Sequence, residues 1–336
     1  MSWYHIPGNE QDAVISTRIR FARNLATYPF PSRLDAPRAK EIVNLVGNVL
    51  EKNGFSRVDF SDISRTTAQS LAEKHYASPA FIRESLPHAL FLNEPCNLSV
   101  MVCEEDHIRL QCILSGLSLQ DAYAGACKVE SLLDGAMELA FDQKLGYLTA
   151  CPTNLGTAMR ASVLLCLPML TTGGRMEAFS LQFGQMGLLI RGLYGENTPT
   201  AGCLYQISNR LTLGMTEEDI LNRLQYGISQ IIQAERKLRT TVSGVELNKL
   251  TDRIQRAEGI LRYAYTLTEA EMLELICQLR LGASMGMTDV RVEALTSLLV
   301  DAMPATLTLS SEAPLKQDHE RDILRAKMVK QVLFGA

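Results

Sequence analysis

The apolar pattern of the chain changes period at Thr216, and that change divides the fold. Beyond it Ile220, Leu224, Ile228, Ile231, Ile232 and Leu238 recur every three or four residues behind a Thr216/Asp219 capping pair, as in an amphipathic helix. The same period returns at residues 245–262, 268–281, 289–303 and 318–334, with no strand pattern between them. Before Thr216, short runs at residues 89–92, 98–112, 178–183, 188–193 and 203–208 read as strands, and residues 39–50 and 119–140 as helices. The expectation is a mixed α and β portion to about residue 235 and an all-helical portion beyond, joined at residues 240–244.

The first portion centres on residues 146–167, GYLTACPTNLGTAMRASVLLCL. Tyr147, Leu148 and Thr149 read as a short strand, and Cys151 through Gly156 as a turn. The apolar run 159–167 reads as a buried helix with Thr157 as its N-cap. Cys151 would then sit near a helix N-terminus, whose positive dipole end favours the thiolate. A free, inert thiol is the ordinary alternative. Arg160 would fall in the first turn, a poor place for a cation unless it serves an anion outside.

Arginine sets the chemistry. Residues 14–25, VISTRIRFARNL, place Arg18 and Arg20 on one face if extended, because side chains alternate along a strand. Two guanidinium groups so placed repel unless an anion lies between them; a solvated basic edge is the alternative. Glu104, Glu105 and Asp106 interrupt two strand patterns, so a turn is expected there, beside an Arg109 that would keep the acids ionised. Arg191 opens a glycine-flanked segment ending in Glu196, and His75 follows a short helical pattern. Five arginines beside turns and strands, without a GxxxxGK[ST] loop, suit a triphosphate held by planar guanidinium forks. Glu105, Glu196 and Cys151 are what a guanidinium substrate would need: carboxylates for its N–H fork, and one of them to take a proton.

Composition narrows the class. The formal net charge is -4, which gives no reason to expect nucleic acid as a partner. The first residues, MSWYHIPGNEQD, lack a secretory pattern, and nowhere do eighteen apolar residues run together, so no membrane is expected and the location is read as cytoplasmic. Eight cysteines without a CxxC pair and five histidines without HExxH argue against a structural metal site.

The segments STRIRFARNL, EEDHIRLQ, GYLTACPTNLGTAMRAS, RGLYGE and YQISNRLTLG resemble, in order, the signature segments of the phosphagen (ATP:guanidino) kinases across residues 14–220. The chain is most similar to the bacterial protein arginine kinases. Only 15 residues precede Ser16, where kinases of small guanidino compounds carry a helical domain, and Arg321-Asp322-Ile-Leu-Arg325-Ala326 resembles an RDxxRA phosphoarginine-binding segment. The resemblance implies an α+β fold: a mainly antiparallel sheet flanked by helices over residues 1–239, then an all-helical domain, 240–336, for dimerisation and phosphoarginine recognition. It implies transfer of the ATP γ-phosphate to protein arginines, marking them for Clp-type proteolysis, with Mg2+ carried by the nucleotide. Arg18, Arg20, Arg109, Arg160 and Arg191 become the phosphate clamp, His75 a neighbour of the adenine, Glu105 the base, Glu196 the second guanidinium ligand and Cys151 the thiolate. Arg321, Asp322 and Arg325 become the phosphoarginine site. Implied partners are proteins with accessible arginines, a zinc-finger activator protein, a Clp chaperone-protease and a second copy in a homodimer. A kinase of a small guanidino metabolite and a non-catalytic phosphoarginine-binding adaptor are the alternatives. Two positions depart from the family pattern: Cys103, where Asn is usual, and Ala158, where Gly is frequent.

Overall fold

The computed structural model describes residues 2–95, 97–192, 203–311, 315 and 317–335. Strand β1 (Val14–Arg23) comes first, then helix α1 (Ala36–Lys52), β2 (Phe55–Asp59), α2 (Arg65–Glu73), β3 (Ala89–Asn93), β4 (Leu98–Val102), β5 (Ile108–Ser115) and α3 (Leu119–Asp134). A small hairpin, β6 (Phe141–Asp142) and β7 (Gly146–Tyr147), leads to β8 (Met159–Cys166), α4 (Pro168–Thr172), α5 (Met176–Gln185), β9 (Leu188–Gly192) and β10 (Leu204–Asn209). Helices alone follow: α6 (Glu217–Thr241), α7 (Gly244–Tyr263), α8 (Glu269–Ser284), α9 (Val292–Asp301), α10 (Pro304–Ser310) and α11 (Asp318–Phe334).

Eight strands form one sheet in the order β2-β3-β4-β5-β1-β8-β10-β9, every neighbouring pair antiparallel. The expected α+β architecture is therefore present, and the alternation of β1 determines what each face does. Ile19 and Phe21 point to one side, where Met159, Ala161, Val163 and Ile207 join them under α1, α3 and α6 in the main hydrophobic core. Arg18 and Arg20 point to the other side. Here the helical portion packs back on the sheet: Ile15, Cys166 and Leu204 share a second core with Leu273, Ile276, Leu295 and Leu298 of α8 and α9. Glu73 at the end of α2 caps α10, accepting from the backbone of Ala305 at 3.0 Å and of Thr306 at 2.8 Å.

Two elements differ from their sequence reading. Residues 159–166 are a strand, not a helix, and Thr157 caps nothing helical. β8 lies between β1 and β10, and its second half, residues 163–166, carries no polar residue, so periodicity cannot separate it from a buried helix. Residues 178–183 are helical within α5, where Phe179 and Phe183 meet edge to face one turn apart at 5.8 Å. Helix α3 also stops at Asp134, short of residue 140. The break between α6 and α7 falls at Val242–Ser243, just beyond the boundary at 239/240.

Candidate active site

Cross-strand register places the arginines. Arg20 stands directly opposite Arg160, and Arg18 opposite Ser162. Arg109 pairs with Ala22 across β1/β5, one alternation from Gln111, which faces Arg20. Arg191 faces Gln206, and Gln206 faces Leu164. Opposed residues share a face and so do residues two apart. All five arginines therefore occupy the face turned away from the main core. Over it opens a cleft of about 890 Å³, lined by Arg18, Arg20, Arg109 and His75 on one side and by Leu299, Met303 and Arg321 of the helical portion on the other.

Charge in this cleft is unbalanced. Burial first, then the neighbouring Arg109 and Arg160, bring the Arg18 guanidinium down to about 10. Burial, Arg109, Arg18 and Arg160 together push Arg20 well below its ordinary value, and Glu104 opposes them. Among the described residues, nothing accepts a hydrogen bond from the buried Nε atoms of Arg18 and Arg20. Arg160 donates to Ser208 Oγ at 3.2 Å, and Arg109 grips both oxygens of Glu104 at 2.7 and 2.5 Å. Ser78 also donates to Glu104. Buried cations without enough counter-charge are costly, and a polyanion would repay that cost. His75 sits in the same cleft, its ring 6.0 Å from that of Trp3, with φ at 62°. Burial and then Arg18 depress its imidazole to about 3, so it is neutral at ordinary pH.

The acidic triplet forms the expected turn, and the turn sorts the three acids. Glu104 and Asp106 are buried, whereas Glu105 is exposed at the tip. The carboxylate that pairs with Arg109 is Glu104, not Glu105. Asp106 accepts from the backbone N–H of Ala150 at 2.7 Å, which ties this turn to the one carrying Cys151. In the sequence the triplet reads as one cluster, and strand parity does not carry through the turn to separate Glu105 from its two inward neighbours.

Cys151 precedes a single 3-10 turn, Pro152–Asn154, and then strand β8. The helix-dipole argument for its thiolate therefore fails, since no α-helix begins there. Its sulfur lies 3.0 Å from Thr153 Oγ1. The loop is pinched where Gly146 meets Gly156: a Cβ on Gly146 would lie 2.4 Å from the Gly156 carbonyl oxygen. Glu196 lies outside the described residues. The two departures from the family pattern both occupy left-handed backbone, Cys103 at φ 65° and Ala158 at φ 46°, conformations that Asn and Gly adopt at lower cost.

The RDxxRA residues do not meet in one open pocket. Arg325 is buried and spends its donors on Ala302 O at 3.0 Å, Leu267 O at 2.8 Å and Asp322 Oδ1 at 2.5 Å. Arg321 pairs with Asp318 and lines the arginine cleft.

Residues 39–238 match the family model for the ATP:guanido phosphotransferase C-terminal catalytic domain, and residues 247–335 that for the protein-arginine kinase McsB C-terminal domain. The chain belongs to the protein-arginine kinase branch of the ATP:guanido phosphotransferases. It is 39% identical over 332 residues to the protein-arginine kinase of Halothermothrix orenii, covering 98% of this chain and 95% of the relative. The protein-arginine kinase of Clostridium kluyveri is 40% identical over 326 residues, covering 95% and 94%. Among solved structures, the substrate-free duplicated taurocyamine kinase from Schistosoma mansoni aligns with a TM-score of 0.61 at 25% identity, over 75% of this chain. This chain spans 39% of that duplicated protein. Lombricine kinase aligns with a TM-score of 0.62 over 70% of each chain at 23% identity, a likeness of fold.

Proposed function

We propose that this enzyme transfers the γ-phosphoryl group of ATP to arginine side chains of proteins. The observation that carries the reading is the meeting of Arg18, Arg20 and Arg109 in one cleft, with Arg160 close enough to repel the first two. Such a site asks for a polyanion, and the triphosphate of a nucleotide supplies one. Phosphoryl transfer needs in-line positioning and charge neutralisation more than covalent chemistry, and a guanidinium clamp provides both.

In this account the clamp, completed by Arg191, holds the phosphates, and neutral His75 lies against the adenine. Glu105, exposed at its turn, takes a proton from the substrate guanidinium as nitrogen attacks phosphorus. That proton must leave because an arginine side chain is otherwise cationic at neutral pH. Glu196 is the second guanidinium ligand, and Cys151 lies beside the acceptor. Among the described residues no three His, Cys, Asp or Glu side chains come together to hold a metal. Mg2+ carried by the nucleotide would sit on the phosphate oxygens and spread their charge.

The catalytic unit is read as residues 1–239 and the helical domain as 240–336, the latter serving dimerisation and phosphoarginine recognition. The pairing of Asp322 with Arg325 means that a phosphoarginine ligand must displace that contact or use Arg321. Marking of proteins for a Clp chaperone-protease, control by a zinc-finger activator and a cytoplasmic location complete the proposal. No single helix among the described residues is long and apolar enough to cross a membrane. The test is a comparison of acceptors under MgATP. Casein, an unfolded protein, should gain acid-labile phosphate while free arginine and taurocyamine gain little. Efficient use of either small molecule with unlabelled casein would favour the metabolite-kinase alternative.

A further inference from the structure

Strand β1 ends at Arg23, and the next residue, Asn24, is 2% exposed. Every polar atom of its side chain is committed. Nδ2 donates to Asp106 Oδ1 at 2.6 Å and to Leu148 O at 3.0 Å, while Oδ1 accepts from the backbone N–H of His107 at 2.9 Å. Asp106 and His107 belong to the turn that presents Glu105. Leu148 belongs to the segment that leads into Cys151. The same Asp106 oxygen that Asn24 holds also accepts from Ala150 N–H at 2.7 Å. One carboxylate oxygen thus joins the turn carrying Glu105, the turn carrying Cys151 and the end of β1.

We propose that Asn24 is a positioning residue that fixes the Glu105 turn against the Cys151 turn. This rests on the reading of Glu105 as the base. The bonds lie in a buried setting, where water cannot substitute for a missing partner without cost. Only a neutral amide meets all three demands at once: two N–H donors for a carboxylate and a carbonyl, and one acceptor for an amide N–H. Aspartate has the same shape but would set its charge against Asp106 and lose both donors. A displacement of about 1 Å between base and acceptor can cost on the order of 100-fold in rate. The clamp arginines sit on β1, β5, β8 and β9, and the three hydrogen bonds of Asn24 go to Asp106, Leu148 and His107 instead, so nucleotide binding should not follow that loss.

The test is a double-mutant cycle on the full-length protein, with kcat on casein and ATP affinity by calorimetry as separate readouts. Asn24→Asp should lower kcat at least about 50-fold with ATP affinity within about twofold of wild type. Asp106→Asn alone should be milder, because its Oδ1 can still accept from Asn24 and from Ala150. Combined, Asn24→Asp with Asp106→Asn should recover about threefold over Asn24→Asp: the exchange removes the charge repulsion, but the one atom that Asn24 and Ala150 shared can then either donate to the new carboxylate or accept from Ala150, not both. Should Asn24→Asp not fold, Asn24→Ser offers the same reading without a charge, with kcat down several-fold and ATP affinity intact. Wild-type kcat in the Asn24 variants, parallel loss of kcat and ATP affinity, or no recovery in the double variant would overturn the proposal. Glu105→Gln, assayed alongside, separates the two levels. If it is inactive while the Asn24 variants turn over normally, only the positioning role fails. If it turns over at the wild-type rate, the base assignment falls and the positioning role with it.

Discussion

Replacing Arg18 with methionine should make the free protein more stable while removing its hold on ATP. Arg18 sits among Arg20, Arg109 and Arg160, and its guanidinium is brought down to about 10 by burial and by those neighbours. A tenfold change in proton affinity corresponds to about 1.4 kcal/mol, so holding the charge there costs about 3 kcal/mol as an upper bound. Water entering the cleft screens part of this, which leaves about 1–2 kcal/mol to be recovered. The sign follows from the direction of the shift. The folded state binds this proton less tightly than the unfolded chain, so the penalty is fully present below about pH 10 and fades only above it. Arg18→Met should therefore raise the melting temperature by about 2–4 °C, by the same amount at pH 6 and pH 8. Wild type should gain about 2.7 kcal/mol from ATP at 100 times its Kd, and the variant far less at the same concentration. Differential scanning fluorimetry with and without MgATP measures both effects. A variant that melts lower than wild type, or that ATP stabilises equally, would refute the argument that the cleft is an anion site under electrostatic tension.

Glu105→Gln should lower turnover by about 100- to 10,000-fold with ATP affinity intact, measured by steady-state kinetics and calorimetry. His75, depressed to about 3 by burial and Arg18, contributes stability that is present above pH 6.5 and lost as pH falls towards 3. His75→Gln should accordingly remove about 1–2 kcal/mol of the stability difference between pH 7 and pH 4.5 in urea melts. Ala158→Gly should stabilise by about 0.5 kcal/mol in the same melts, because relief at φ 46° outweighs the extra freedom of the unfolded glycine.

What the sequence revealed and what it hid have physical causes. The alternation of Arg18 and Arg20, the turn at Glu104–Asp106 and the helices beyond Thr216 are local patterns, so they could be read directly. The meeting of Arg20 with Arg160 depends on β1 lying next to β8, a neighbour relation between segments about 140 residues apart. The strand at Met159–Cys166 reads as a helix in the sequence because residues 163–166 carry no polar residue to show an alternation. The helix at Met176–Gln185 was misread because AFSLQF alternates as a strand would, whereas Phe179 and Phe183 pack at helical spacing. Glu104 and Asp106 could not be told from Glu105 until the turn showed which acids face inward. Resemblance supplied the roles; geometry supplied the charge imbalance that makes the clamp reading physical.

The most direct measurement is the chemical identity of the phosphorylated atom. Casein incubated with MgATP labelled at the γ-phosphate should carry label on arginine side chains, lost in acid and located by fragmentation that preserves the P–N bond. Wild type should give phosphoarginine and Glu105→Gln essentially none. Label on serine, threonine or tyrosine, or arginine labelling that is equal in the two proteins, would contradict the account.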